Sequence, residues 1–398
     1  MFKRNVLAVS MTLAALCSAQ AAFADVNGGG ATLPQPLYQT AGVLTTGFAP
    51  YIGVGSGNGK AAFLTNDYTK FVAGVTNKNV HWAGSDSKLT ATELSTYAST
   101  KQPAWGKLIQ VPSVATSVAI PFNKTGSANV DLSVQELCGV FSGRIKNWSG
   151  ISGAGRTGPI VIVYRSESSG TTELFTRFLN AKCNAETGSF AVTTTFANSF
   201  SGGLPAGAVA ATGSQGVMTA LGAAQGRITY MSPDYAASTL EGLDDATKVA
   251  RVGKDEANGV EGVSPAPGNV SDAIAQVLPP NDPSAPLDIN NPDNWVPVFG
   301  PVGAAGVQPY PDSGYPILGF TNLIFSQCYA NADQTSQVRG FFTKHFGATA
   351  NNDAAISANR FVPLPANWKA AITDTFLTAT SGLSIGKTNV CNGIGRPL

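Results

Sequence analysis

The sequence predicts an α/β fold of two lobes joined by two hinge crossings, with a ligand cleft between the lobes. Three observations lead there. Short β-rich runs alternate with amphipathic helical patterns, the signature of α/β units and largely parallel sheets. Two apolar runs, 109–121 and 315–323, read as a crossing out and a crossing back, so that the first lobe is discontinuous and the second an insertion. The length also exceeds what one core comfortably fills. The plainer alternative is two ordinary core strands in one large domain.

The first residues stand apart from the fold. Lys3 and Arg4 give a charged start, 6–16 is an apolar stretch, and Ala22-Phe23-Ala24 is a small-x-small cleavage site. A secretory signal peptide cut after Ala24 is expected, too short and wrongly flanked to be a membrane anchor. Leu16, where a small residue would be needed, disfavours a lipoprotein built on Cys17. The 398 residues less the first 24 leave 374, beginning at Asp25, with 23 basic and 24 acidic residues once Lys3 and Arg4 are removed. No basic stripe or tail exists to recruit nucleic acid or an anionic membrane, and no later stretch would span a bilayer. A nearly neutral chain that binds a small anion must use a few placed groups rather than a diffuse field. A monomer is expected.

Along the chain, strand candidates fall at 80–83, 108–111, 117–121, 160–164 and 228–230. Helical patterns fall at 35–48, 134–141, 172–179, 216–224, 334–346 and 366–377. The stretch 263–315 is crowded with Pro, Gly, Asn and Asp and reads as ordered surface loop, pinned by Trp295, Val296, Val298 and Phe299. The expected division is 1–24 signal peptide, 25–114 plus 316–398 first lobe, and 115–315 second lobe carrying that loop. Cys138, Cys183, Cys328 and Cys391 are an even set in an exported chain, hence two disulfides with three possible connectivities. The sequential pairing Cys138–Cys183 and Cys328–Cys391 keeps each bridge within one lobe. Zinc fails on spacing, with no close Cys pair and with His81 and His345 far apart, so neither metal nor cofactor is expected.

The most informative run is Tyr164-Arg165-Ser166-Glu167-Ser168-Ser169-Gly170-Thr171-Thr172-Glu173-Leu174-Phe175. It follows an apolar strand pattern and opens a helical one. Backbone N–H groups, small hydroxyls and a guanidinium at a helix N-terminus are the physical recipe for holding an oxyanion. Ordinary capping by Ser or Thr explains everything in this run except the arginine. Three patches repeat the chemistry. Gly28-Gly29-Gly30-Ala31-Thr32-Leu33-Pro34 is a glycine-rich turn with Pro at a favoured first-turn position. Gly53-Val54-Gly55-Ser56-Gly57-Asn58-Gly59-Lys60 is another. Trp82-Ala83-Gly84-Ser85-Asp86 ends a strand in a carboxylate, which in the plain reading caps the helix near 92–97.

These residues carry a resemblance. Asp25-Val26-Asn27-Gly28-Gly29-Gly30-Ala31-Thr32-Leu33-Pro34 closely resembles the N-terminal signature of the DING proteins, a branch of the phosphate-specific, PstS-like periplasmic binding proteins that serve ABC importers. The likeness continues through 53–60, 82–88, 132–151, 164–175 and 315–323 and covers the mature chain. It implies a type II periplasmic binding protein fold, with inorganic phosphate held in the interlobe cleft and delivered to a membrane permease; arsenate, similar to phosphate in shape and protonation, is expected to compete. Carried over motif by motif, the phosphate ligands are Thr32, Leu33, Ser56 and Asp86 from the first lobe, and Arg165, Ser169, Gly170 and Thr171 from the second. Val26 departs from the isoleucine of the group's name. Glu167 stands where many phosphate binders have aspartate and would orient Arg165.

Asp86 faces an anion as a carboxylate, which makes sense as discrimination: it accepts the proton that phosphate carries and sulfate lacks. Two other functions compete. A secreted phosphomonoesterase would use Ser169 or Thr171 as nucleophile, but no histidine or carboxylate cluster lies near the motifs to activate it. A secreted interaction or adhesion protein with incidental phosphate binding would fit the low charge and the Pro/Gly-rich loop.

Overall fold

The computed structural model describes residues 25–236 and 241–397, so the expected signal peptide and its cleavage site lie outside the described residues. Two six-stranded sheets form the lobes. In the first the order is Val362–Pro363, Leu108–Ser117, Leu318–Ser326, Trp82–Ser85, Gly28–Gly30, Ile52–Gly53. In the second it is Asp131–Leu132, Val249–Val252, Ile120–Asn123, Arg227–Ile228, Val161–Arg165, Val209–Ala211.

Both sheets are mixed, not largely parallel as expected. Leu318–Ser326 runs antiparallel to both its neighbours, and so does Ile120–Asn123. The reason is the hinge itself. A chain that leaves the first lobe along Leu108–Ser117 and returns along Leu318–Ser326 must run in opposite directions when the two strands pair, and they pair from Leu318 opposite Ser117 to Ser326 opposite Leu108. Every residue of both strands is buried, including the polar Gln110, Ser113, Thr116, Thr321 and Asn322. At the crossing Val118 N donates to Ile317 O at 2.8 Å and Tyr315 Oη to Val118 O at 2.8 Å, and Ala119 then bridges to Met231 in the second lobe. The first-lobe strand thus extends to Ser117, past the expected boundary at 114.

The stretch 263–315, expected as decoration of the second lobe, packs largely on the first. Its helix Pro267–Ile274 buries Val270, Ala273 and Ile274. Trp368 Nε1 donates to Val277 O at 2.8 Å. Trp295, 1% exposed, lies against Phe376 with ring centroids 4.8 Å apart, and Lys88 pairs with Asp293 at 2.9 Å. Further on, Phe299 meets Phe320 of the returning strand, and Tyr310 sits edge-on to Phe178 of the second-lobe helix Gly170–Lys182 at 5.2 Å. The polar composition hid a segment that its aromatic residues fasten to both lobes.

Local chemistry accounts for the remaining elements. The helix expected over 35–48 stops at Gln39, because Thr40 takes extended backbone with ψ of 127°, and Gly42 and Gly47, with left-handed φ of 80° and 93°, then keep the chain turning. Val134–Phe141 is closed by a capping box in which Ser133 and Glu136 exchange side-chain-to-backbone hydrogen bonds. The structure forms the disulfides Cys138–Cys183 and Cys328–Cys391, with Cα atoms 5.8 Å and 5.3 Å apart. The first ties this capped helix to the end of Gly170–Lys182. Trp82 sits at the centre of the first-lobe core among Tyr38, Tyr51, Phe325 and Phe341.

Trp295→Ala should cost about 3–5 kcal/mol of stability, because it empties a buried aromatic site. Denaturant unfolding followed by far-UV circular dichroism checks the figure, and a loss below about 1 kcal/mol would mean that the segment is not fastened by this residue.

Candidate functional site

Four chain turns converge between the lobes. In the first lobe, Thr32 and Leu33 lie in the turn after Gly28–Gly30. Leu33 buries its side chain fully, and Ala31 N donates to Gly84 O at 2.8 Å, tying this turn to the end of Trp82–Ser85. Ser56 is the first residue of the helix Ser56–Thr65, and its Oγ accepts from Asp86 N at 3.1 Å. That helix rests directly on the sheet, because a Cβ at Gly59 would lie 2.6 Å from Gly30 Cα. Lys60 is drawn away from the cleft by Glu93 at 3.2 Å and by the carbonyl of Lys88. Asp86 does not cap the helix Ala91–Thr100: Thr90 does, in a capping box with Glu93. The carboxylate is therefore left for another role.

From the second lobe, Arg165 ends the strand Val161–Arg165 and is 3% exposed. Its Nε donates to Glu167 Oε1 at 2.7 Å, its Nη2 shares the same oxygen, and Gly213 N adds a third donor at 3.0 Å. The Glu167 carboxylate thus holds the guanidinium by an ion pair and is itself fixed by the Gly213 N–H. Ser169 is the N-cap of Gly170–Lys182, its Oγ accepting from Thr172 N at 3.2 Å. Tyr230 supports the same corner: its hydroxyl meets Thr172 Oγ1 at 2.7 Å and accepts from Arg165 N at 3.3 Å.

The two halves touch. Thr171 Oγ1 donates to Asp86 Oδ2 at 3.2 Å, and Gly57 N donates to Ser168 O at 3.3 Å. Gly170 makes the approach possible, because a Cβ there would stand 2.4 Å from Ser56 Oγ and 2.7 Å from Asp86 Cβ. Thr32 Oγ1 lies 3.0 Å from Ser214 Oγ and accepts from Ser214 N at 3.2 Å. The structure therefore brings Thr32, Ser56, Asp86, Arg165, Ser169, Gly170 and Thr171 together between the lobes, whereas Leu33 follows Thr32 in the chain and turns its side chain into the core. Sequence reasoning missed Ser214 and Gly213. Their signal was Thr212-Gly213-Ser214, a small-residue helix start like the other three but with no charge to mark it.

Asp86 is 4% exposed, and burial pushes its carboxyl up to about 6, against the Thr321 hydroxyl, the charge of Arg165 and the Thr171 hydroxyl, all of which favour the charged form. The cleft therefore combines a fixed guanidinium, a run of hydroxyl and backbone donors, and one acceptor able to change its protonation near neutrality. That set can envelop a small tetrahedral oxyanion that carries a proton.

A family model described as a PBP superfamily domain matches residues 18–281. Among solved structures, the chain is similar to a high-affinity periplasmic phosphate-binding protein of DING type bound with phosphate. That similarity is 80% identity over 94% of this chain and 100% of the other, with a TM-score of 0.91. A second DING protein structure is 73% identical over the same shares, with a TM-score of 0.90. The chain belongs to the DING branch of the PBP superfamily. It is also 68% identical, over 100% of both chains, to a Pseudomonas aeruginosa (strain UCBPP-PA14) relative called alkaline phosphatase L. In this DING protein no described helix is long and apolar enough to cross a membrane.

Gly170→Ala should keep the lobes from meeting at Ser56 and Asp86. Small-angle scattering with and without phosphate is expected to show contraction in the unsubstituted protein and none in the variant. Equal contraction in both would mean that the close approach at Gly170 is not needed for closure.

Proposed function

We propose that the protein is a high-affinity receptor for inorganic phosphate, exported after cleavage at Ala24, working in the periplasm or outside the cell and delivering its ligand to the permease of an ABC importer. The observation that carries this reading is the meeting of Arg165, Gly170 and Thr171 with Ser56 and Asp86 across one cleft. The hydroxyls of Thr32, Ser56 and Ser169, the backbone N–H groups of Leu33, Gly170 and Thr171, and the Arg165 guanidinium donate to the phosphate oxygens, while the Thr171 hydroxyl stays on Asp86. Asp86 accepts the phosphate proton. Hydrogen bonds to charged groups contribute roughly 1.5–3 kcal/mol each, so such a set outweighs anion dehydration and closure of the lobes. The phosphate-bound DING relative supports the reading.

The relative called alkaline phosphatase L favours phosphomonoester hydrolysis as a second reading. Asp86 is placed to take a proton from Thr171, but the histidines supply no base. Ser113 Oγ lies 2.8 Å from His345 Nε2, and His345 Nδ1 lies 3.0 Å from Asn352 Nδ2, which has the outline of a nucleophile, base and orienting residue. Asn352 Nδ2 also donates to Val43 O at 3.0 Å, which fixes its amide. His345 Nδ1 is therefore an acceptor, and the ring proton sits on Nε2, facing the serine it would have to deprotonate. All three residues are buried, and burial holds His345 down at about 4. This trio joins the first-lobe core to Tyr38, whose hydroxyl donates to Ser113 Oγ at 2.8 Å. Arg165→Ala should abolish phosphate binding while leaving any copurifying phosphatase turnover unchanged. Turnover that vanishes with this substitution would favour the enzyme.

Calorimetric titration of the ligand-stripped protein with phosphate, sulfate and arsenate tests the main reading. Phosphate and arsenate are expected to bind and compete, and sulfate to be rejected. Asp86 in the closed cleft has its carboxyl raised from 3.8 to about 6. The native form therefore retains a proton that the unfolded chain loses in that window, and the stability this gives is complete below the window and lost as pH rises through about 6. Above it the charged carboxylate accepts from phosphate and repels sulfate, whereas the protonated form donates to either anion. The phosphate-over-sulfate preference should therefore narrow by about tenfold or more between roughly pH 7.5 and pH 5, and Asp86→Asn should show the narrowed preference at both. Unchanged selectivity in Asp86→Asn would remove this role from the carboxylate. Reduced phosphate uptake during starvation on deletion of the gene checks delivery to the importer.

A further inference from the structure

Thr32 and Ser214 are 182 residues apart in sequence and belong to different lobes, yet both are buried and share two contacts. Ser214 is the second residue of the helix Gly213–Gly222. The N-cap residue of that helix, Thr212, makes no capping hydrogen bond with its own side chain. The oxygen that accepts from Ser214 N, where a cap would accept, is Thr32 Oγ1 of the opposite lobe, at 3.2 Å. The preceding N–H, of Gly213, goes to Glu167, the carboxylate that orients Arg165. One helix start is therefore tied to ligand-holding groups on both sides of the cleft.

We propose that Ser214 is a positioning residue for the bound anion, acting through Thr32 and only when the lobes are closed. The inference rests on phosphate occupying this cleft. A hydroxyl has one proton and two lone pairs. Ser214 N–H fills one lone pair of Thr32 Oγ1. If the Ser214 hydroxyl donates to the second, the Thr32 proton has no protein acceptor left on that side and turns toward the ligand. The opposite arrangement, Thr32 donating to Ser214, would leave the ligand one donor short. An anion selects the first arrangement, because a charged acceptor draws the Thr32 proton more strongly than a neutral hydroxyl does. The chain Ser214 O–H to Thr32 O–H to anion is then polarised along its length. Opening the lobes breaks it at the Ser214–Thr32 step, so the ligand is retained most firmly in the state that has this contact. Ser214 need not touch the ligand for this.

The test uses the full mature protein and inorganic phosphate, with association and dissociation rates measured by stopped flow for the unsubstituted protein, Ser214→Ala, Ser214→Thr, Thr32→Val and the double variant Thr32→Val/Ser214→Ala. Ser214→Ala keeps the backbone N–H and removes only the relaying hydroxyl. Its phosphate dissociation should quicken by about tenfold, the ratio matching one hydrogen bond, with association changed by less than about threefold. Ser214→Thr should restore slow release. In the Thr32→Val background the Ser214→Ala change should have no further effect, and the melting temperature of the ligand-free protein should be the same with Ser or Ala at 214. Wild-type release from Ser214→Ala, or an equal acceleration in the presence and absence of the Thr32 hydroxyl, would overturn the inference while leaving phosphate binding intact. Failure of the unsubstituted protein to bind phosphate would overturn the functional reading and this inference together.

Discussion

The hydrogen bond from Thr171 to Asp86 spans the cleft at 3.2 Å, and the surrounding structure is arranged to allow it. A helix N-terminus must come within contact of a strand end from another lobe, which demands a residue without a side chain at Gly170. The strand end must present a carboxylate that no local helix claims, and Thr90 takes over the capping that Asp86 would otherwise perform. The carboxylate must also survive burial. It does so with its protonation equilibrium displaced toward neutrality and with the Arg165 charge opposing that displacement. A buried charge left wholly unpaired would be far more costly. The site is thus an electrostatic compromise, with one acceptor among many donors whose charge state the donors themselves help to set.

The two crossing strands hold the lobes in the register that this meeting needs. Two fully buried strands run side by side out of and back into the first lobe, held at the turnover by Val118, Tyr315 and Ile317. Beside them the 267–310 stretch is anchored by Trp295 on the first lobe, and its Tyr310 touches the very helix that begins at Gly170. This segment therefore joins the two lobes through aromatic contacts far along the chain from Asp86 and Thr171. The buried networks around His345 and His81 lie within the first lobe and have the character of core scaffolding, with hydrogen bonds to Ser113, Asn352 and Asn27.

What the sequence revealed and what it concealed have a common physical cause. Charged and glycine-rich features were legible: the arginine before Ser169-Gly170-Thr171, Ser56 and Gly57 of the Gly53–Lys60 run, and Asp86 all meet between the lobes, because each needs an unusual residue at a fixed backbone position. Polar residues with ordinary local roles were not legible. Ser214 resembles any helix-start serine until a threonine from the other lobe is seen beside it, since a contact across 182 residues leaves no local pattern. Strand direction was hidden for the same reason: apolar runs show burial, while the antiparallel pairing of Leu318–Ser326 follows from topology. The helix pattern at 35–48 overran because Leu37, Tyr38 and Val43 are all buried, and Val43 reaches the core from a turn. In 263–315 the loop-forming Pro and Asn outnumber the few aromatics that decide where the segment packs.

On the reading proposed above, one tetrahedral anion is held between these lobes by these residues. A crystal structure of the phosphate-loaded protein tests it most directly. A single phosphate is expected within hydrogen-bond distance of Thr32, Leu33, Ser56, Asp86, Arg165, Ser169, Gly170 and Thr171, with a phosphate oxygen paired to the Asp86 carboxylate. Phosphate found elsewhere on the protein, or a closed cleft with no anion in it, would show that these residues do not form the anion site.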